Sequence, residues 1–321
     1  MIQIYLLLLA GLLLLFISGK YLVDSSVVIA RRLKIPTMII GLTVVAFGTS
    51  APELLVSIQA AIKGFPEMAM GNVVGSNISN ILLVLAITAL IFPIPVPAKS
   101  VRQDWPVLMF VSLLLFAFSW DGTLSRVEGI ILLFLLVVYI VLAVISARRS
   151  TKALQSDKVE TADRDKKPVG RQMKGWVAGL IFLVSCVGLA FGADLLVENA
   201  ATIAEGFGIS QRVISITMVA VGTSIPELAT SVIAALKKET DISVGNIIGS
   251  NIMNILSVLG VTSVMGDISV EQAISHFDIP WMLAVTVVLL LMMVPAARSK
   301  ITRWEGIFMI VIYLLYIYMI F

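Results

Sequence analysis

Ten long apolar stretches dominate this chain of 321 residues and restrict it to few possible folds. Each stretch has about the 20 residues that an α-helix needs to cross the hydrocarbon core of a bilayer. Only 13% of the residues are charged, about half the share in a soluble domain. We therefore predict an all-α integral membrane protein with ten transmembrane helices. The predicted spans are about 2–30, 38–62, 68–92, 104–120, 125–147, 175–205, 212–236, 242–265, 278–296 and 303–321.

The lysines and arginines are distributed unevenly between the two sides of these spans. The loops on one side carry 19 of them, and the loops on the other side carry three. Short loops rich in lysine and arginine stay in the cytoplasm. We therefore expect a multi-pass protein of the cytoplasmic (inner) membrane with both termini outside.

The chain repeats itself at a constant offset of 174 residues. Residues 43–53 read TVVAFGTSAPE and residues 217–227 read TMVAVGTSIPE. Further on, GNVVGSNISN at 71–80 corresponds to GNIIGSNIMN at 245–254. Each half holds five spans, and because five is odd the second half must enter the membrane from the opposite side. Such inverted repeats are typical of secondary transporters.

The repeat divides the chain into three parts. Residues 1–147 form the first five-helix repeat, and residues 175–321 form the second, inverted one. Between them, residues 148–174 are polar and charged without apolar periodicity, which indicates a flexible linker. Nine lysines and arginines lie in this segment, so we expect it in the cytoplasm.

Two glutamates, Glu53 and Glu227, occupy equivalent places inside apolar spans. A charge at that depth costs at least ~2.5 kcal/mol, so an ionisable residue there indicates function. A buried glutamate kept only for packing is the alternative, and no basic residue stands beside either one in its span.

The residues around the glutamates supply oxygen atoms. Pro52 and Pro226 have no N–H, which frees the carbonyl groups of Gly48 and Gly222 four residues back. Carboxylate, carbonyl and hydroxyl oxygens are the ligands that Ca²⁺ prefers, and Na⁺ accepts the same donors. A simple proline kink is the alternative. The nearby hydroxyl groups belong to Thr49, Ser50, Thr223 and Ser224.

The second motif of each half combines small and polar residues. The glycines of 71–75 and 245–249 have the GxxxG spacing that lets helices pack closely. Polar residues recur every four positions, so they share one helical face that can turn toward the glutamates. Hydrogen bonding between helices is the alternative role for this face. Its members are Asn72, Ser76 and Asn80 in the first half and Asn246, Ser250 and Asn254 in the second.

Several classes of function are disfavoured. The single cysteine, Cys186, allows no disulfide within the chain, and the single histidine, His276, lies outside the apolar spans. Histidine-based catalysis and zinc chemistry therefore lack their residues. No phosphate-binding loop is present, and the basic residues form no nucleic-acid-binding domain. We expect no enzyme activity, no cofactor and no nucleic-acid partner.

The paired GTSAPE and GTSIPE motifs, each followed by GNVVGSN or GNIIGSN, resemble the two alpha repeats of the sodium/calcium exchanger family. The resemblance covers the whole chain. It implies calcium ligands at Glu53, Glu227, Thr49 and Thr223. It further implies sodium ligands at Ala46, Ser50, Ser76, Ala220, Ser224 and Ser250, and a central polar pair at Asn80 and Asn254.

The pair Asn80 and Asn254 departs from part of the family, because some members have an aspartate at one of these positions. Two carboxylates therefore remain in the site, which argues against potassium as a co-substrate. Proton-coupled relatives usually carry GNxxE in place of GTSxPE, so the motif favours sodium.

We therefore predict an antiporter that exchanges Na⁺ for Ca²⁺ by alternating access at the membrane midplane between Glu53 and Glu227. The resemblance implies an electrogenic cycle and makes the long first and sixth helices the moving pair. Membrane lipid is the expected environment, and we expect a monomer. A Ca²⁺/H⁺ antiporter is the alternative, because an apolar setting favours a protonated carboxyl group. An intramembrane enzyme is a more remote alternative, because a doubled, symmetric site does not suit catalysis.

Overall fold

The structure, a computed structural model, describes residues 2–156, 174–206, 222–294 and 300–320, and it is almost entirely helical. Eleven helical segments lie in these ranges. They are α1 (Ile2–Leu33), α2 (Thr37–Thr49), α3 (Ala51–Ile62), α4 (Glu67–Ile91), α5 (Ser100–Phe118), α6 (Arg126–Ser156), α7 (Gly175–Gly206), α8 (Ile225–Leu236), α9 (Thr240–Met265), α10 (Ile274–Met293) and α11 (Arg303–Ile320).

Eight of these helices are long and apolar enough to cross a membrane, and a bent pair, α2 with α3, makes a ninth span. The axes of α2 and α3 differ by 41°. The remaining predicted span, 212–236, is the seventh along the chain; it contributes α8, while its residues 212–221 lie outside the described residues. The multi-pass helical fold is therefore confirmed, and nine of the ten spans are accounted for.

Three predicted boundaries were wrong. Helix α6 continues through residues 148–156, which the sequence assigns to the linker. Helices α5 and α10 begin at Ser100 and Ile274, four residues before the predicted starts of their spans. These end turns contain polar residues, so a prediction based on apolar runs ends the helix too early. Residues 157–173 of the predicted linker lie outside the described residues.

Helices α4 and α9 form the centre of the molecule. Most of their residues are buried, whereas α1 and α7 lie side by side at the periphery with most of their surface toward lipid. The predicted GxxxG packing is confirmed in the second half. A Cβ atom at Gly249 would lie 2.5 Å from the Leu42 carbonyl oxygen of α2. In the first half, the described neighbours of Gly71 leave more room.

The repeat is visible in the backbone. Helices α4 and α9 turn π-helical at residues 80–85 and 254–259, and α5 and α10 do so at 100–104 and 274–278. Both pairs are related by the offset of 174. Insertions of this kind in α-helices are frequent at functional sites, and 80–85 and 254–259 begin at Asn80 and Asn254.

Four two-residue strands join the halves. Strand β1 (Ile94–Pro95) pairs antiparallel with β4 (Lys300–Ile301), and β2 (Thr123–Leu124) pairs antiparallel with β3 (Ile268–Ser269). Each pair therefore links a loop of the first repeat to a loop of the second.

Helices α6 and α11 begin with a capping box of the form S/T-x-x-E. The Glu128 carboxylate accepts hydrogen bonds from the backbone N–H of Ser125, and the Glu305 carboxylate does the same for Thr302. Each box satisfies a backbone donor that the start of a helix leaves open. It also reveals a second repeat, SRVEG at 125–129 and TRWEG at 302–306, at an offset of 177.

Candidate functional site

The two glutamates occupy equivalent places at the centre of the bundle. Glu53 lies in the first turn of α3 and Glu227 in the first turn of α8, each directly after its proline. The first turn of a helix carries partial positive charge, which favours a carboxylate there. Both side chains are completely buried.

Glu227 is held by hydroxyl groups from both halves. Its Oε1 atom accepts hydrogen bonds from Ser50 Oγ and from Ser250 Oγ, each at 3.3 Å. Ser50 lies at the break between α2 and α3, whereas Ser250 lies on α9. The second carboxylate oxygen, Oε2, has no hydrogen-bond partner in the described part of the chain.

Glu53 is less well satisfied. Neither of its carboxylate oxygens has a hydrogen-bond partner among the described residues. A buried carboxylate without donors is unfavourable unless a cation or a proton compensates its charge. The described residues therefore leave the charge of the Glu53 carboxylate uncompensated.

Thr49 and Thr223 lie beside the glutamates in equivalent polar networks. Thr49 Oγ1 donates to Asn246 Oδ1 at 3.0 Å and lies 3.3 Å from Ser250 Oγ. In the other half, Thr223 Oγ1 lies 3.4 Å from Asn72 Oδ1 and 3.1 Å from Ser76 Oγ. Each threonine thus joins the break of one half to the polar face of the other half's central helix.

Asn72 and Asn246 form hydrogen bonds to the helices that carry the glutamates, α3 and α8. Asn72 Nδ2 donates to Ser57 Oγ at 3.2 Å, and Asn246 Nδ2 donates to Ser231 Oγ at 3.1 Å. These contacts tie α4 to α3 and α9 to α8. Asn72 and Asn246 therefore form hydrogen bonds between helices, which is the alternative role of this face. Both residues also lie close to the site.

Four asparagines form a symmetric cluster where α4 crosses α9. Asn77 and Asn251 each donate to the other's backbone carbonyl, at 3.2 and 3.3 Å. The amide nitrogen of Asn80 donates to Asn251 Oδ1 at 3.1 Å, and that of Asn254 donates to Asn77 Oδ1 at 3.2 Å. Because the amide nitrogens are used in this way, the buried Oδ1 atoms of Asn80 and Asn254 remain without partners among the described residues.

Asn77 and Asn251 do not appear among the site residues predicted from sequence. Both belong to the repeated GSN tripeptide, so an argument that followed every matched polar residue would have found them. Their contacts fix the orientation of the Asn80 and Asn254 amides.

Other predicted ligands make contacts within the protein. The Ala46 carbonyl accepts the backbone N–H of Ser50 at 2.9 Å and the Thr49 hydroxyl at 3.3 Å. Ser76 contacts Thr223. Ala220 lies outside the described residues.

Ser224 is engaged by a residue that has no counterpart in the other half. Its Oγ lies 2.7 Å from Ser79 Oγ, and Ser79 donates its own hydrogen to the Ser76 carbonyl at 3.1 Å. Either hydroxyl can donate the hydrogen bond between Ser79 and Ser224, and when Ser79 donates to the Ser76 carbonyl, Ser224 donates to Ser79. In that arrangement the Ser224 hydrogen is not available to Glu53. The position equivalent to Ser79 is Met253, which explains why Ser50 donates to Glu227 instead.

Five buried oxygen atoms of the site are thus left without partners: both of Glu53, Oε2 of Glu227 and Oδ1 of Asn80 and Asn254. All are hard, neutral or anionic donors of the kind that Ca²⁺ and Na⁺ accept. Across the described ranges, no group of three or more His, Cys, Asp or Glu residues could hold a metal ion. The chemistry therefore suits a hard cation balanced by two carboxylates.

Comparison with known proteins agrees with this chemistry. The family model described as sodium/calcium exchanger protein matches residues 3–145 and 177–321. The chain is 36% identical to the inner membrane protein YrbG of Escherichia coli over 89% of this chain and 87% of that protein. It is 32% identical to the sodium/calcium exchanger MaX1 of Methanosarcina acetivorans over 99% and 98% of the two chains.

A solved structure has the same fold. The sodium-calcium exchanger NCX_Mj, soaked with zero Na⁺ and Ca²⁺, superimposes with a TM-score of 0.82 at 31% sequence identity. The match covers 100% of this chain and 99% of that chain.

Proposed function

Because the chain belongs to the sodium/calcium exchanger family, we propose that this antiporter couples Ca²⁺ transport to Na⁺ at the site between Glu53 and Glu227. Membership makes it a membrane transporter of cations rather than an enzyme. The observation that carries the proposal is the set of five buried oxygens without partners. Two carboxylates and neutral oxygens can neutralise one Ca²⁺, and none of the donors is a soft ligand suited to a transition metal.

The ligand sets of the two ions overlap. Glu53, Glu227 and the carbonyls of Thr49 and Thr223 bind Ca²⁺, while Na⁺ ions use the remaining predicted positions and share the carboxylates. The list of these positions is Ala46, Ser50, Ser76, Ala220, Ser224, Ser250, Asn80 and Asn254. Because the sets overlap, the ions occupy the site in turn, and in either loaded state the negative charge of the two carboxylates is compensated. When the site is empty, its two uncompensated negative charges oppose the change between the outward-open and inward-open conformations. The conformational change therefore requires bound ions, which couples the movement of one ion to that of the other.

The cycle is electrogenic if three Na⁺ replace one Ca²⁺. Two carboxylates and one Ca²⁺ are neutral, whereas three Na⁺ leave one positive charge on the loaded site. Each cycle then moves one net charge, which is worth ~2.3 kcal/mol per 100 mV. No cofactor is required, and the protein acts as a monomer in the inner membrane.

Ion flux in proteoliposomes tests the proposal. Sodium, proton and potassium gradients are imposed separately on the purified protein, and Ca²⁺ uptake is followed. Sodium-loaded vesicles should take up Ca²⁺, and faster when the interior is made positive. Uptake that ignores voltage would indicate two Na⁺ per Ca²⁺ and an electroneutral exchanger.

A Ca²⁺/H⁺ antiporter is the second candidate, and the unpartnered oxygens of Glu53 are the observation in its favour. A carboxylate that lacks donors in a buried setting binds a proton readily. Uptake driven by a pH gradient in the absence of Na⁺ would replace the sodium proposal with this one.

The orientation has its own test. With Cys186 replaced by serine, a cysteine in place of Ser156 should react with a membrane-impermeant thiol reagent only from the cytoplasmic side. Reaction from outside would invert the proposed topology, in which both termini are outside.

A further inference from the structure

The asparagines of the two GSN tripeptides, Asn77 on α4 and Asn251 on α9, are buried where these helices cross. Asn77 Nδ2 donates to the Asn251 backbone carbonyl at 3.2 Å, and Asn251 Nδ2 donates to the Asn77 backbone carbonyl at 3.3 Å. A backbone carbonyl can only accept hydrogen bonds, so it must face the nitrogen of each side-chain amide and not its oxygen. The backbone of each helix therefore fixes which way round the amide from the other helix lies.

This fixed orientation determines that of a second pair of amides. The Asn77 Oδ1 atom points away from the Asn251 carbonyl and accepts a hydrogen bond from Asn254 Nδ2 at 3.2 Å. In the same way, Asn251 Oδ1 accepts a hydrogen bond from Asn80 Nδ2 at 3.1 Å. Because the nitrogens of Asn80 and Asn254 face these acceptors, their Oδ1 atoms lie on the opposite branch of each amide. Those two oxygens have no hydrogen-bond partner within the described ranges.

The reverse orientation of Asn77 is unfavourable. It would place Asn77 Oδ1 against the Asn251 carbonyl oxygen, and Asn77 Nδ2 against the nitrogen of Asn254. Both hydrogen bonds would be lost, and a buried polar group without a partner is costly. In the observed orientation the Asn77 nitrogen also lies 3.7 Å from the Met282 sulfur, a weak acceptor. The amide of Asn77 is therefore held by contacts on both of its branches.

The contacts of the cluster are crossed between the two helices. Asn77 of α4 orients Asn254 of α9, whereas Asn251 of α9 orients Asn80 of α4. Each orienting side chain is itself held by a backbone carbonyl, and that carbonyl remains when the side chain of the same residue is replaced. Loss of the Asn77 side chain should therefore release the Asn254 amide and leave the Asn80 amide in place.

We propose that Asn77 and Asn251 are positioning residues of the ion site, which hold the Asn254 and Asn80 amides with an oxygen free for a cation. The inference rests on the proposed function, in which Asn80 and Asn254 are Na⁺ ligands. An amide oxygen is a hard donor that a cation of this class accepts, whereas an amide nitrogen carries hydrogens and would repel it. Asn77 and Asn251 do not serve as ligands themselves, because the oxygen and nitrogen of each are already occupied.

A purely structural role for the cluster makes a different prediction. If Asn77 only held α4 against α9, its loss would weaken the fold, and its effect on ion affinity would combine in the same way with the loss of either ligand. If Asn77 acts by orienting Asn254, its loss should add nothing once the Asn254 amide has been removed. The crossed contacts therefore distinguish the two roles.

Double-variant cycles in the purified full-length protein test the inference. The measured quantity is the Na⁺ concentration that gives half-maximal Ca²⁺ uptake into proteoliposomes. Asn77→Leu and Asn254→Leu should each raise it about two- to tenfold, the effect of one lost polar contact. The double variant should be no worse than the larger single effect. Asn77→Leu with Asn80→Leu should instead multiply the two effects. Asn251→Leu is the matched control, which should multiply with Asn254→Leu and not with Asn80→Leu.

A second measurement and a second variant keep the test decisive. Where a variant does not transport, the Na⁺ concentration for half-maximal thermal stabilisation in detergent gives the same comparison. Asn77→Ala removes the same side-chain hydrogen bonds if Asn77→Leu does not fold, and loss of folding in both variants would assign Asn77 to folding and overturn the inference.

Other results would also overturn it. These are an unchanged Na⁺ dependence in the Asn77 variants, or effects that multiply equally with Asn254→Leu and Asn80→Leu. Failure of the proposed function is recognised separately, in the unmodified protein. If its Ca²⁺ uptake ignores Na⁺, the proposed function is wrong and this inference is wrong with it. If the unmodified protein depends on Na⁺ and the crossed pattern is absent, only this inference is wrong.

Discussion

The contact between α1 and α8 and the equivalent contact between α7 and α3 are built from repeated sequence, yet they differ. Helix α1 packs along α8, whereas α7 touches α3 at only a few residues. Ile233 of α8 is 5% exposed beneath α1, while its equivalent on α3, Gln59, is exposed. A Cβ atom at Gly19 of α1 would lie 2.6 Å from Ile233 Cδ1, which shows how closely the first pair approaches.

An ion pair marks the same difference. Lys237, at the end of α8, lies 2.5 Å from Asp24 of α1. The equivalent residues are Lys63 and Glu198, both exposed, and in the described part of the chain they form no ion pair. The inverted repeats therefore hold two conformations of one interface in a single structure. We infer that the opposite state of the transport cycle exchanges them, with α7 closed on α3 and α1 open from α8.

The largest expected effect on Ca²⁺ exchange comes from removing the glutamate that each half contributes to the site. Glu53→Gln or Glu227→Gln should each reduce Ca²⁺ exchange by at least about 100-fold, because each removes one of two charges that face a divalent ion. Flux in proteoliposomes measures this, and the exposed loop variant Glu271→Gln is the matched control. Near-normal exchange by either site variant, with the protein eluting as a single sharp peak, would show that the site is wrongly assigned.

Crosslinking tests the exchange of interfaces directly. In a Cys186→Ser background, Asp24→Cys with Lys237→Cys should crosslink readily, and Lys63→Cys with Glu198→Cys should crosslink only in the opposite state. Either crosslink should stop exchange, and reduction should restore it. If both pairs crosslink in one molecule at the same time, the two interfaces are not alternatives.

The asymmetry between the glutamates predicts a moderate effect. Ser79→Met copies Met253 and releases the Ser224 hydroxyl, which can then donate to Glu53 as Ser50 donates to Glu227. One hydrogen bond corresponds to a change of about two- to tenfold in apparent Na⁺ affinity. Sodium dependence of Ca²⁺ uptake measures it. Ser112→Ala, a buried serine far from the glutamates in sequence, is the control, and equal behaviour of the two variants would contradict the prediction.

The smallest effect is expected from the ion pair itself. The side chains of Lys237 and Asp24 are 26% and 41% exposed, so the pair contributes about 0–1 kcal/mol. Asp24→Asn should therefore shift the balance between the two states by up to about fivefold. Distances between spin labels at residues 59 and 194, on α3 and α7, report this shift. Glu198→Gln should leave the observed state unchanged, and a shift of equal size in both variants would remove the distinction between the interfaces.

Much of this molecule follows from its sequence because the bilayer imposes a simple rule. Unpaired backbone groups are not tolerated in lipid, so each apolar stretch must be a helix, and the spans were predicted from apolar length alone. The paired glutamates stood out for the same reason, as charged groups where charge is costly. The end turns of α5, α6 and α10 were missed because polar residues near the membrane surface carry no such penalty.

The internal repeat helped to predict some residues of the site and caused others to be missed. It drew attention to matched positions such as Thr49 and Thr223, so the unmatched pair Ser79 and Met253 was overlooked. That difference gives Ser224 a partner other than Glu53, whereas its equivalent Ser50 donates to Glu227. Which interface is closed could not be predicted either, because the repeated motifs match in the two halves and do not indicate which half is closed.

The packing of α1 against α7 has a consequence for the fidelity of exchange. Gly11 and Gly192 bring the two backbones together, such that a Cβ atom at Gly11 would lie 3.0 Å from the Gly192 carbonyl oxygen. Two helices in such close contact over much of their length are expected to travel as one rigid body. In the proposed alternating-access cycle, closing at one membrane face would then force opening at the other, and no continuous pore would form. A bulky residue at Gly11 should separate the helices and cost the cell its ion gradients through leakage rather than through slow exchange.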